Sequence, residues 1–462
     1  MTDVLGLLAY LVLPLVGMVV WRLDFIREMP LGARLGVAMA AGSLIVALLM
    51  SSLSVIGIEW SRTVLFALLA MIGFLGFLGV PRVPRGRYFE QPEEPEELRG
   101  TPRNRRGWWR TADAGTAFCW LLTLYGTLTA RHSCGDLQFT WGPKAIRWFR
   151  AGGLDPDVLH TWPQLTVDYP PLQTLLLALS NTFARQFPWW AAVLASPLFL
   201  LALLAVLRVW SRDALGTLLA AAALTYTYTL AYPAGCAEPP LLLFEAIAIG
   251  ALTFLDEDDG RAQTFLAALG VAGAVFTKLE GATFAVAVFL TILLVQRKPK
   301  RAFLVIAPGA LLFAAWMTFV FRNDLLYMYG GAKMPIYWST IPVVLKTLAK
   351  VAKFNLWWLP YLVPIVLIAI GNVRRALVPV AIALLTTGAT VYFYVHYPDP
   401  VWWIESSSPR VILTPLLALL IGVMAARPYA RVARHGVVPE GKETEGGGRP
   451  PGGDPRGALG QV

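Results

Sequence analysis

At 462 residues, 56% hydrophobic and only 15% charged, the chain is too apolar for a soluble domain, which carries about a quarter charged residues. Its formal net charge of +10 does not make it a nucleic-acid binder: much of the basic excess lies in one linker and the C-terminal tail, and no basic helical stripe is interleaved with aromatics. Three cysteines fit no metal spacing, and a mean hydropathy of +0.59 leaves an integral membrane protein as the class.

A helix needs roughly 20 apolar residues to cross the hydrocarbon core, and lipid cannot satisfy open backbone groups. Apolar runs of that kind predict an all-α, polytopic transmembrane bundle of about thirteen helices. They fall near 4–21, 34–54, 63–80, 113–130, 189–209, 214–231, 239–255, 261–277, 280–296, 302–321, 355–371, 376–396 and 411–426. Short alternating strands of a transmembrane barrel are absent from the pattern. The first run, Val4 to Trp21, lacks a basic leader and a small-residue cleavage site, and reads as a retained helix rather than a signal peptide.

The same pass divides the chain. Residues 1–80 form a three-helix extension, 81–112 a Pro/Arg/Glu-rich linker, 113–426 the main membrane domain and 427–462 a low-complexity tail ending in Gly- and Pro-rich sequence. Within the main domain, 131–188 reads as a first outer loop with juxtamembrane helices. Lysine and arginine set orientation, because they accumulate on the cytoplasmic side. Arg82, Arg85, Arg87, Arg99, Arg103, Arg105, Arg106 and Arg110 place the linker inside, as do residues 296–301, 372–375 and the tail. Parity then predicts an outer N-terminus, a cytoplasmic C-terminus, and four outer segments at 131–170, 232–238, 278–280 and 397–410. The stretch 341–354 strains this assignment, since Lys346, Lys350 and Lys353 share one face. It reads as an interfacial amphipathic helix, with a local topology error as the alternative.

The outer segments hold most of the chain's polar signals. The first runs Cys134-Gly135-Asp136-Leu137-Gln138-Phe139-Thr140-Trp141-Gly142-Pro143-Lys144-Ala145-Ile146-Arg147 and closes with Asp168-Tyr169-Pro170-Pro171-Leu172. The second ends Gly235-Cys236-Ala237-Glu238-Pro239-Pro240, the third is Lys278-Leu279-Glu280-Gly281, and the fourth contains Trp402-Trp403-Ile404-Glu405-Ser406-Ser407-Ser408-Pro409-Arg410.

In that order these motifs resemble superfamily C (GT-C) glycosyltransferases over roughly residues 113–426. The bacterial branch similar to protein mannosyltransferases and the lipid A aminoarabinose transferase is the nearest in pattern. The three N-terminal helices depart from it. The resemblance implies a polyprenyl-phosphate-linked sugar donor, an extracytoplasmic acceptor, a plasma-membrane location with the active site on the outer face, and inversion at the anomeric carbon. It also implies that Asp136 is the general base, a role worth about 10²–10⁴-fold in rate; a helix-capping Asp is the plain alternative. Glu238 reads as a second catalytic acid that orients the acceptor or helps hold a divalent cation, against a solvated loop acid. Whether a metal is needed is left open.

A leaving phosphate calls for cations, and Arg offers a planar fork where Lys offers a point charge. Arg410 and Lys278 are the first choices, with Lys144 and Arg147 behind them; snorkelling to lipid headgroups is the alternative for each. Glu280 reads as a partner of Lys278 or another cation. Tyr169 stands before two prolines that stiffen the chain's return to the membrane. Trp402 and Trp403 suit an interfacial aromatic belt.

Cys134 and Cys236 each precede an acid by two residues and would both face an oxidising compartment. They are candidates for a disulfide joining the two acidic segments, with two unpaired small residues as the alternative. The leading expectation is therefore a membrane glycosyltransferase of the cell envelope. A secondary transporter or lipid-carrier flippase is the rival, disfavoured because no internal repeat is visible and the acids gather at one face. A non-catalytic envelope scaffold is the third reading.

Overall fold

In the computed structural model, which describes residues 2–78, 102–129, 134–160, 169–184, 186–211, 214–231, 234–255, 260–325, 336–356, 358–397 and 399–426, the regular elements are all helical. The N-terminal part holds α1 (Thr2–Gly17), the single-turn α2 (Asp24–Arg27), α3 (Leu31–Val55), α4 (Arg62–Leu78) and α5 (Pro102–Thr129). The first outer segment folds as α6 (Gly142–Ala151), α7 (Pro156–His160) and α8 (Leu172–Phe183). The central group is α9 (Trp189–Ser211), α10 (Ala214–Ala231), α11 (Glu238–Phe254), α12 (Gly260–Thr277), α13 (Leu279–Thr291) and α14 (Pro299–Arg322). Last come α15 (Ile341–Phe354), α16 (Trp358–Ile370), α17 (Leu377–Tyr394), α18 (Pro400–Val411) and α19 (Leu413–Ala426).

The chain is a multi-pass membrane protein, with seven to eight candidate spans among the described residues where the apolar runs predict about thirteen. Seven helices are long and apolar enough to cross: Val4–Arg22, Leu31–Val55, Trp189–Trp210, Leu279–Gln296, Pro299–Arg322, Val373–Tyr394 and Pro400–Ala426. An eighth is reached if the bent pair Trp338–Phe354 and Trp358–Ile370 counts as one. The runs near 63–80, 113–130, 214–231, 239–255 and 261–277 do form helices, in α4, α5, α10, α11 and α12. None of these five is by itself long and apolar enough to qualify. A second correction concerns the linker 81–112, whose residues 102–112 belong to α5, a helix opened by Pro102 at a position where its missing N–H costs nothing. The rest of the linker through 101, Asp168, Tyr232-Pro233 and the tail 427–462 lie outside the described residues.

Two helices form the centre. Every residue of α19 is buried, as is α11 from Glu238 to Thr253. Helix α11 packs against α9, α12 and α19, and α19 in turn against α16 and α17. The N-terminal helices are part of this bundle: α1 and α3 pack on α8 and α9. Helix α8 is only twelve residues long and is almost wholly enclosed, which is where a helix too short to span is tolerated. Helix α15 buries Val344, Thr347 and Val351 on one face, and its axis and that of α16 differ by 96°.

Candidate active site

Four separate parts of the chain deliver the charged residues to one place. Asp136 lies in a short helical turn that leads through the π-helical stretch Leu137–Trp141 into α6, Glu238 in the first turn of α11, and Arg410 near the end of α18. Lys278 occupies the one-residue break between α12 and α13, with Glu280 in the first turn of α13.

The break is held by Gly281. A Cβ there would stand 1.9 Å from the backbone oxygen of Ala274, so only glycine lets α13 start this close to the end of α12. On the other side of the site, Gly235 has φ +82° and turns the chain into α11. Its N–H donates to Ser196 Oγ at 2.9 Å and its carbonyl accepts from Gln173 Nε2 at 3.1 Å. Next to it, Cys236 forms a disulfide with Cys134, Cα atoms 6.5 Å apart, so the segment carrying Asp136 is tied covalently to the start of α11. An Asp136 carboxylate oxygen lies within 4.8 Å of both sulfurs.

The charges form an unbroken chain. Asp136 Oδ2 contacts Arg410 Nη1, and the same nitrogen lies 3.9 Å from Glu238 Oε1. That oxygen accepts from Lys278 Nζ at 3.0 Å, and Lys278 Nζ lies 2.7 Å from Glu280 Oε1. Three carboxylates thus share two cations. Burial alone would disfavour the Lys278 ammonium, but Glu238 and Glu280 outweigh it and hold the group well above the usual lysine range. Glu238 Oε2 and Glu280 Oε2 are buried with no hydrogen-bond partner among the described residues, leaving two acceptors for ligand hydroxyls.

The plain alternatives for several residues do not hold. Asp136 makes no capping hydrogen bond, and Glu238 is enclosed by protein rather than solvated in a loop. Lys144 is fully buried, its Nζ 4.7 Å from the Trp148 ring centre and 5.6 Å from that of Trp316, a cation–π setting and not a lipid headgroup. Arg147 stands one turn further along α6, half-buried. Tyr169 is buried edge-on against Trp141, with ring centres 5.7 Å apart. Trp403 stacks on Tyr397, ring centres 4.4 Å apart, while Trp402 is exposed as an aromatic-belt residue would be.

The one grouping of three metal-capable ligand atoms among the described residues is Cys134, Asp136 and Cys236. Its two sulfurs are bonded to each other, so no thiolate is present to take a metal. Glu238 faces two cationic side chains, which is a poor setting for a divalent ion.

One residue escaped the sequence reading. Glu245 lies two turns below Glu238 on the same face of α11 and is fully buried. Thr414 of α19 donates to its Oε1 at 2.9 Å, while Oε2 has no partner among the described residues. The signal was an acid inside the apolar run Leu241 to Gly250, which is costly enough to imply a role.

No protein-family model matches this chain, and neither does any curated protein or solved structure.

Proposed function

We propose that the chain is an inverting membrane glycosyltransferase that moves a sugar from a polyprenyl-phosphate donor to an acceptor on the extracytoplasmic side of the plasma membrane. The observation that carries this reading is the meeting of Asp136 with Arg410 at the exposed end of a buried ion-pair chain. A carboxylate suited to take a proton and a guanidinium suited to hold a leaving phosphate stand in one site. The acceptor hydroxyl oxygen attacks the anomeric carbon and gives its proton to Asp136. The bond from that carbon to the phosphate oxygen breaks, and its electron pair leaves with the polyprenyl phosphate. Arg410, backed by Lys278, stabilises the charge that develops there. The free oxygens of Glu238 and Glu280 accept from hydroxyls of the sugar or acceptor and orient them. In this reading the N-terminus is outside, the C-terminus cytoplasmic, and the lipid approaches laterally from the bilayer.

The test is sugar transfer by purified protein in vesicles, across a panel of polyprenyl-phosphate sugars, with Asp136→Asn alongside. Transfer or slow donor hydrolysis should fall by about 10²-fold or more in the variant while its fold is retained. Full activity in Asp136→Asn removes the base from the scheme.

Glu245 favours a second reading, a proton-coupled transporter or lipid-carrier flippase, because a carboxyl deep in a helix bundle is a common proton site. Substrate movement driven by a pH gradient and lost in Glu245→Gln would select it over the transferase.

A further inference from the structure

The contact between Asp136 and Arg410 is incompatible with the reaction it serves. In an inverting displacement the nucleophile and the leaving group lie in line on opposite faces of the anomeric carbon. The base therefore reaches the attacking hydroxyl from one side of the sugar, and the phosphate-binding cation reaches the leaving oxygen from the other. A hydrogen bond of about 2.8 Å, an attack distance of about 3.2 Å and the phosphate beyond the carbon together separate base from cation by on the order of 8 Å. Here the two side chains touch, so a donor can be seated productively only between them.

The rest of the ion-pair chain shows which contact yields. Lys278 is held between Glu238 and Glu280 and its side chain is 8% exposed, while Glu238 is 3% exposed and rooted in the central helix. Lys278 therefore offers an incoming phosphate no open side. Arg410 is 17% exposed and Asp136 37%, and Asp136 stands in the short helical turn just before the π-helical stretch Leu137–Trp141 and not in a fully buried helix such as α11. Arg410 is thus the cation that an incoming anion can reach, and Asp136 is the partner it must displace. Glu238, 3.9 Å away, keeps the guanidinium in place while that happens.

We infer that the position Asp136 holds on Arg410 is the phosphate subsite, filled in the resting protein by the enzyme's own carboxylate and taken over by the phosphate headgroup of a lipid. The exchange does two things at once: it places the phosphate on the guanidinium and it releases Asp136 as a base. Binding order follows, with the lipid phosphate first and proton transfer only afterwards. The base function rests on the transferase reading, whereas the subsite does not, because it needs only the exchange of one anion for another.

The consequence is unusual for a catalytic residue: removing Asp136 should improve ligand binding. The probe is a short-chain polyprenyl monophosphate, titrated into protein in nanodiscs, with the neutral polyprenol of the same chain, phosphatidylglycerol and inorganic phosphate as separate arms. Asp136→Asn and Asp136→Ser should each bind the polyprenyl phosphate roughly two- to fivefold more tightly than the parent, the worth of a partly exposed ion pair. Arg410→Gln should lose most of the affinity, and the gain from Asp136→Asn should vanish in its background. Polyprenol should show no such dependence on either residue. Competition by inorganic phosphate or phosphatidylglycerol equal to that of the polyprenyl phosphate would keep the subsite and change the source of its phosphate. Unchanged or weaker binding in both folded Asp136 variants overturns the inference. If transfer is lost in Asp136→Asn while binding is unaltered, the transferase reading survives and the exchange falls. If binding tightens but no donor is ever turned over, the subsite stands without the enzyme.

Discussion

Replacing Lys278 with methionine is the most direct probe of the buried ion-pair chain. The ammonium lies 3.0 Å from Glu238 and 2.7 Å from Glu280, and Glu238 is enclosed almost completely. Methionine keeps the length and apolar volume of the lysine stem but strips both carboxylates of their shared cation. Glu280, a quarter exposed, can recover part of its solvation; Glu238 cannot, and is left with Arg410 at 3.9 Å. Orphaning a charge in such a setting costs about 3–5 kcal/mol, a shift of roughly two to four decades in the folding equilibrium. Neutralising the partner as well should recover most of it, since replacing a whole buried pair is often close to neutral. Lys278→Met should therefore be severely destabilised, and Lys278→Met with Glu238→Gln should lie within about 2 kcal/mol of the parent. Reversible unfolding in mixed micelles, with the midpoints compared across the four members of the cycle, measures this. A single variant within about 1 kcal/mol of the parent, or a double variant as unstable as the single, would refute the claim that Lys278 is buried between acids.

Three further outcomes follow from particular contacts. Thiol labelling of unreduced protein in native membranes should modify Cys119 alone, and reductant should expose Cys134 and Cys236; free labelling of all three without reductant rules the bridge out. Gly281→Ala should destabilise by about 1–3 kcal/mol and reduce transfer, because its methyl group would drive α13 away from Ala274 and carry Glu280 with it; a normal melting midpoint and normal activity would contradict the close approach. Thr414→Val should cost about 1–3 kcal/mol by removing the donor to Glu245, and combining it with Glu245→Leu should not add to the loss.

Membrane class, helical architecture and the places where polar residues collect were all legible in the sequence. Those properties depend on local composition: an apolar run of sufficient length has no aqueous solution, and acids and cations cannot be scattered through it. The pairing of Cys134 with Cys236 was legible as a candidate because both cysteines precede acids in segments assigned to the same outer side. Glu280 was likewise readable as a partner of Lys278, two residues away and across a single turn. The number of spans was not legible. The run near 239–255 folds as α11, 17 residues long and buried against other helices, and composition does not distinguish a lipid contact from a protein one. Nor was the electrostatic order of the site. Arg410 joins Asp136 across 274 residues and Glu238 joins Lys278 across 40. Which carboxylate meets which cation is set by how α11, α13 and α18 come together around one buried centre, and a charge carries no mark of its partner. Glu245 shows the same division: the sequence displays an acid in an apolar helix, and only the packing of α19 against α11 supplies Thr414 and closes it off from water.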